Sequence, residues 1–164
     1  MKKYELTKET KVIGGKTLFR IRALRSFGDI KAGDLGGFIE NERNLSHEGN
    51  AWVSGDARVD GDARVDGDAW VDGDAWVDGN AQVSGDGLIN SNNDYLCEKG
   101  LGSHNRSASF FKCKDGHIHV LCGCFDGNLD EFENKVKKEH GNSKYAKEYL
   151  GFIEVVKTHF EVCQ

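Results

Sequence analysis

Proline is absent from all 164 residues, so the chain must turn with its 21 glycines and with Asn and Asp. No apolar run is long enough to cross a bilayer, and no membrane partner is expected. Met1-Lys2-Lys3 leads straight into polar sequence, so no secretory leader is read and a cytoplasmic protein is expected. Cysteine is sparse and odd in number. Cys97, Cys113, Cys122, Cys124 and Cys163 lack framework spacing and read as reduced thiols. A basic excess is missing as well. The net charge is −5 and unevenly spread: residues 1–50 hold ten Lys/Arg against seven Asp/Glu, residues 51–92 two against nine, and residues 93–164 ten against eleven. A nucleic-acid polymer needs a basic face, and none is indicated.

What is present in excess is one phrase. From Ala51 the chain reads AWVSGD, ARVDGD, ARVDGD, AWVDGD, AWVDGN, AQVSGD and a worn GLINSN that ends at Asn92. Upstream, LSHEGN (45–50) keeps Leu, Gly and Asn in step and sets His47 in the Val slot. A short fixed period marks a solenoid in which each unit covers its neighbour. Ala and Val two apart point to one face of an extended segment, and Gly-Asp or Gly-Asn turns the corner.

Val59-Asp60-Gly61-Asp62-Ala63 and the stretches from Val65, Val71 and Val77 resemble the hexapeptide repeat of left-handed β-helices. Ser54 and Ser84 depart from the small-or-acidic second slot. The resemblance implies three hexads per triangular turn, so residues eighteen apart stack. Trp52, Trp70 and Leu88 then share one column, Arg58 and Trp76 a second, and Arg64 and Gln82 a third. Asp56 would stack on Asp74 and Asp68 on Asp86, leaving open whether solvent screens them or calcium does. Two to three turns of Ala and Val make a thin core, so self-association is expected through Trp52, Trp70, Trp76 and Leu88, by analogy as a trimer.

The flanks differ from the repeat. KVIGGKTLFRIRAL (11–24) reads as a hairpin around Gly14-Gly15, and AGDLGGFIE (32–40) as a cap on the first turn. SASFFKCKDGHIHVLCGCF (107–125) reads as a second hairpin turning at Lys114-Asp115-Gly116. A helix is expected after Asn128, stopping near Gly141, with Leu129, Phe132 and Val136 inward. Another is expected from about Ser143 to about Glu161, burying Ala146, Tyr149, Leu150, Ile153, Val156 and Phe160. The predicted class is mainly β with an α+β tail. A β cap spans residues 1–44, a short left-handed β-helix 45–92, and an α+β domain 93–164.

Cys113, His117, His119, Cys122 and Cys124 invite a metal reading. Strand alternation sets Cys122 and Cys124 in line with buried Ile118 and Val120, away from His117 and His119, so no metal is expected. Cys124 and the Ser103-His104 pair match no defensible nucleophile signature, and no catalytic residue or cofactor is predicted. GLGSHNRSASFF (100–111) suits an anion better: Arg106 for phosphate, Ser103, His104 and Asn105 for polar edges, Phe110 or Phe111 for stacking, and Lys112 for positive potential.

Over its whole length the chain resembles small proteins of phages and prophages of Firmicutes, labelled hexapeptide-repeat or polymer-forming. They share the GDLGGFIE-like lead, the AWV-G hexads and a tail like GCFDGNLDEFENKVKKEHGNSKYAKEYL. That setting implies interference with host defence from the host cytoplasm. A non-catalytic homo-oligomer that sequesters a nucleotide immune signal, a cyclic dinucleotide or a cyclic ADP-ribose type, is the leading expectation. A structural or protein-binding oligomer is the main alternative. Hexapeptide-repeat acyltransferases are the third reading, opposed by the short coil and by an inward His47, the only histidine in register.

Overall fold

The computed structural model describes residues 1–162. The expected thiol at Cys163 lies outside them. The chain is mainly β and divides into two compact units, Met1–Asn92 and Asn93 onward. Among the described residues no helix is long and apolar enough to cross a membrane.

In the first unit, β1 (Tyr4–Ile13) and β2 (Lys16–Ala23) form the antiparallel hairpin around Gly14-Gly15. β3 (Leu35–Ile39) pairs antiparallel with β2 on one side and parallel with the repeat on the other. It is therefore the seam between the two kinds of sheet. The approach is so close that a Cβ on Gly36 would stand 2.5 Å from the Val53 carbonyl oxygen and 2.7 Å from the Trp52 ring. Only glycine fits there.

The repeat supplies two-residue strands: β4 (Trp52–Val53), β5 (Arg58–Val59), β6 (Arg64–Val65), β7 (Trp70–Val71), β8 (Trp76–Val77), β9 (Gln82–Val83) and β10 (Leu88–Ile89). β4 to β7 each pair parallel with the strand eighteen residues on, and β3 joins β5 at a spacing of twenty, giving columns β4-β7-β10, β3-β5-β8 and β6-β9. The ladder bonds are regular: Trp52 N–H donates to the Ala69 carbonyl at 3.0 Å and Ser54 N–H to that of Val71 at 2.8 Å. Ala and Val of each full hexad point inward, from Ala51 and Val53 at 0 % exposure to Val83 at 1 %. Between strands the hexad glycines hold φ from +59 to +67°, where an L side chain is strained. The columns match the eighteen-residue spacing, including the Arg58 guanidinium 4.9 Å from the Trp76 ring centre.

Two expectations fail here. His47 is not in a Val slot. Leu45 bridges Val65, twenty residues away, and is itself buried, so it takes the inward place. Two extra residues before Asn50 throw His47 out of register, onto the Tyr4 ring at 4.3 Å. Its Nδ1 accepts the Lys3 backbone N–H at 3.2 Å. Trp52 is not an exposed contact either. It is 1 % exposed, roofed by Phe27 and Tyr4 with ring centres 5.3 and 6.4 Å away. The folded-over N-terminal segment occupies the surface that the column alone would leave open. Trp70, Trp76 and Leu88 stay partly exposed.

The same segment resolves the charge asymmetry of the sequence. Lys11 pairs with Asp56 at 2.6 Å and Lys16 with Asp60 at 2.5 Å, so cations of the hairpin meet acids of the repeat. Asp60, 2 % exposed, also accepts the Trp76 indole N–H.

The second unit is a four-stranded antiparallel meander, β11 (Tyr95–Leu101), β12 (Arg106–Lys112), β13 (Ile118–Cys122) and β14 (Phe125–Asn128), with α1 (Leu129–His140) and α2 (Lys144–His159). Its outer strands were not foreseen. Asn128 and Glu131 form a reciprocal capping box at the start of α1, and Ser143 caps α2. Leu129, Phe132 and Val136 of α1 pack with Ala146, Tyr149, Ile153 and Val156 of α2 over Phe110 and Val120. Cys122 is buried as expected. Cys124 is not: the strand ends at Cys122, Gly123 turns the chain with φ +63°, and Cys124 is exposed.

Candidate functional site

The second unit contains a cavity of about 240 Å³. Its rim comes from the β11–β12 turn, where Asn105 at φ +48° brings the chain back into β12 and leaves Ser103 and His104 exposed. The Ser103 hydroxyl lies 3.0 Å from His104 Nδ1. Arg106 follows, half-buried, with its guanidinium over the Gly123 backbone; a Cβ there would collide with it. The floor is apolar: Phe125 from β14, Phe132 and Val136 from α1, and the Tyr149 ring from α2. Lys135 and Glu139, one helical turn apart, pair at 2.7 Å along one wall.

The cations near the cavity differ in their pairing. Lys112 is paired with Asp94 at 3.1 Å and Lys135 with Glu139, whereas Arg106 forms no ion pair among the described residues. Burial pushes the Tyr149 hydroxyl up to about 12, with the neighbouring Cys122 thiol adding to it. Burial also raises the Cys122 thiol, against the opposing effects of its hydrogen bond to Tyr149 and of Arg106. Tyr149 and Cys122 are therefore both neutral at pH 7, and the guanidinium is the fixed charge beside them.

Of the residues read from sequence, Ser103, His104 and Arg106 line this cavity. Asn105 faces an adjoining, more open hollow with Lys144 and Lys147, which shares Ser103 with the cavity. Phe110 is at 0 % exposure in the core and cannot stack on a ligand; Phe111, also at 0 %, packs on His119 at 5.3 Å between ring centres. Adjacent strand residues face opposite ways, and both faces of β12 are covered. The rings at the cavity are Phe125, Phe132 and Tyr149 instead. Sequence periodicity marked Phe132 and Tyr149 as inward-facing, but not that α1 and α2 leave space between them.

A second cluster lies at the β12–β13 turn. Cys113, His117 and His119 each present a ligating atom, all within 4.8 Å of one another. Alternation parts the histidines from Cys122, but the turn brings Cys113 onto the histidine face.

No known family model matches the chain, and no curated protein matches its sequence.

Proposed function

We propose that this is a non-catalytic binding protein whose second unit captures a small anionic ligand carrying a ring, a nucleotide being the preferred class. The observation that carries this reading is Arg106, without a carboxylate partner among the described residues, in a cavity lined by Phe125, Phe132 and Tyr149. A guanidinium takes a phosphate bidentately, an aromatic floor takes a base, and Ser103 and His104 supply hydrogen bonds at the rim. At about 240 Å³ the cavity lies just below the roughly 300 Å³ lower end of small-ligand sites, so its ligand is no larger than one nucleoside phosphate. A cyclic dinucleotide would fill two such cavities, which fits a homo-oligomer. The resemblance to phage and prophage proteins supports reading the capture as sequestration of a host immune signal.

The eighteen-residue parallel columns support reading the repeat as a short left-handed β-helix, with the open Trp70 and Leu88 of one column as the interface of a trimer. The displaced His47 counts against an acyltransferase.

The test is to equilibrate the full chain with nucleoside monophosphates, cyclic dinucleotides and cyclic ADP-ribose isomers, then release the bound fraction by heat. Intact ligand is expected back, and Arg106→Ala should weaken capture about tenfold or more without changing the oligomer. Chemically altered ligand would replace this reading with an enzyme. No capture of any of them would leave the structural or protein-binding oligomer.

A further inference from the structure

His117 and His119 aim a nitrogen each at a common point while their other nitrogens are held by carboxylates. His117 Nδ1 lies 2.5 Å from Asp115 Oδ1, and His119 Nε2 lies 2.6 Å from Asp126 Oδ1. A neutral imidazole carries one N–H. Donated outward to the carboxylates, it leaves His117 Nε2 and His119 Nδ1 as two lone pairs facing each other at 3.4 Å. Two acceptors at that distance repel unless a cation stands between them. The Cys113 sulfur completes a triangle with them, every side within 4.8 Å, and Cys113 is 4 % exposed.

The local fold builds this triangle. Cys113 N–H donates to the His117 carbonyl at 3.0 Å and Gly116 N–H to the Cys113 carbonyl at 2.9 Å, so the turn sets Cys113 directly across from His117. His119 is two residues on, on the same face, opposite Phe111, which packs against its ring. Asp115 is pinned as well, its carboxylate accepting the His117 backbone N–H at 3.0 Å.

We propose that Cys113, His117 and His119 bind one zinc ion, with Asp115 and Asp126 orienting the two imidazoles and a solvent molecule in the fourth place. Around a tetrahedral zinc ion, nitrogens at about 2.0–2.1 Å and a sulfur at about 2.3 Å are separated by roughly 3.3–3.6 Å. The 3.4 Å between the two nitrogens already has that spacing. The sulfur, within 4.8 Å of both nitrogens, closes to about 3.6 Å on binding. Carboxylates behind ligating histidines fix the tautomer and orient the ring, and Asp115 and Asp126 stand in those places. A shared proton would bridge the two nitrogens only, whereas zinc engages the Cys113 sulfur with them. Binding releases the thiol proton to solvent, so affinity should rise with pH. The site is separate from the cavity beside Arg106 and does not depend on it.

The experiment is a titration of the chelator-stripped full chain with Co²⁺, followed by displacement with Zn²⁺ and metal analysis after gel filtration. One equivalent per chain is expected, with a sulfur-to-cobalt charge-transfer band and the visible bands of tetrahedral cobalt. Cys113→Ser should abolish the charge-transfer band, His119→Gln should remove stoichiometric binding, and Asp126→Ala should weaken zinc about 10–100-fold. Cys124→Ser should change nothing. His119→Gln replaces a partly exposed side chain and leaves the turn intact, so it decides the matter even where Cys113→Ser fails to fold. No stoichiometric metal, or a thiolate band that survives Cys113→Ser and vanishes with Cys124→Ser, would overturn the assignment.

Discussion

Trp52 and Trp70 sit on neighbouring rungs of one parallel column, in direct register, yet Trp52 is 1 % exposed while Trp70 stays partly open. Identical hexad positions thus do different work. Trp52 carries the fold because Phe27 and Tyr4 close over it, and Trp70 keeps part of its ring at the surface. Trp52→Ala should cost about 3–5 kcal/mol, read as a fall in the denaturant midpoint. Trp70→Ser should cost under about 1 kcal/mol. With Leu88→Ser it should lower the mass seen by light scattering. An unchanged mass would remove this column from the proposed interface.

Glycine replacements should act in opposite directions at two sites. Gly36→Ala drives a Cβ against the Val53 carbonyl, the Ile21 side chain and the Trp52 ring, and backbone cannot step aside. Overpacking of this kind costs about 1–3 kcal/mol or more. Gly151 lies inside α2 with nothing within 4 Å of an added Cβ. Gly151→Ala should raise stability by roughly 0.5–1 kcal/mol. Thermal melts of the two variants check both signs.

Lys3 makes stability depend on alkaline pH. Its ammonium is fully buried and donates to the Ala51 carbonyl at 2.7 Å. Burial, with Arg25 adding repulsion, lowers its pKa from 10.5 to about 8. The unfolded chain therefore holds this proton over a range where the folded chain has released it. Stability from this group should rise as pH climbs from about 8 toward 10 and stay flat below 8. The raised Tyr4 hydroxyl works the other way only above its ordinary 10.0, outside that window. Denaturant midpoints between pH 7.5 and 9.5 should climb in the natural chain and lose that slope in Lys3→Met.

Ligand capture should answer to Glu139 as well as Arg106. Glu139 neutralises Lys135 at the cavity wall. Glu139→Gln frees that cation, and a gain of about two- to fivefold in anion affinity is expected at low salt, fading as salt rises. Isothermal titration at two ionic strengths reads it, and weaker binding in the variant would contradict the charge logic of the site.

The repeat was the most legible part of the chain because its period is local. Ala-x-Val every six residues defines an inward face and Gly-Asp defines a corner; the columns Trp52–Trp70–Leu88 and Arg58–Trp76 follow once the family resemblance sets three hexads to a turn. The helices were legible for the same reason: Asn128 with Glu131 is a start signal readable over four residues. The site was legible only at its polar rim. Arg106, Ser103 and His104 stand close together in sequence, whereas Phe125, Lys135 and Tyr149 reach the cavity from three other elements.

The sequence by itself determined what short-range chemistry determines: turn positions, strand faces, the spacing of the repeat and the caps of both helices. Only the tertiary structure decided which of two equivalent tryptophans would be covered, that Leu45 and not His47 would enter the column, and that Cys113 would join the face of His117 and His119. Those outcomes depend on chain segments that meet across tens of residues or around a turn. Periodicity fixes the direction a side chain points from its own backbone, but not what arrives on the other side.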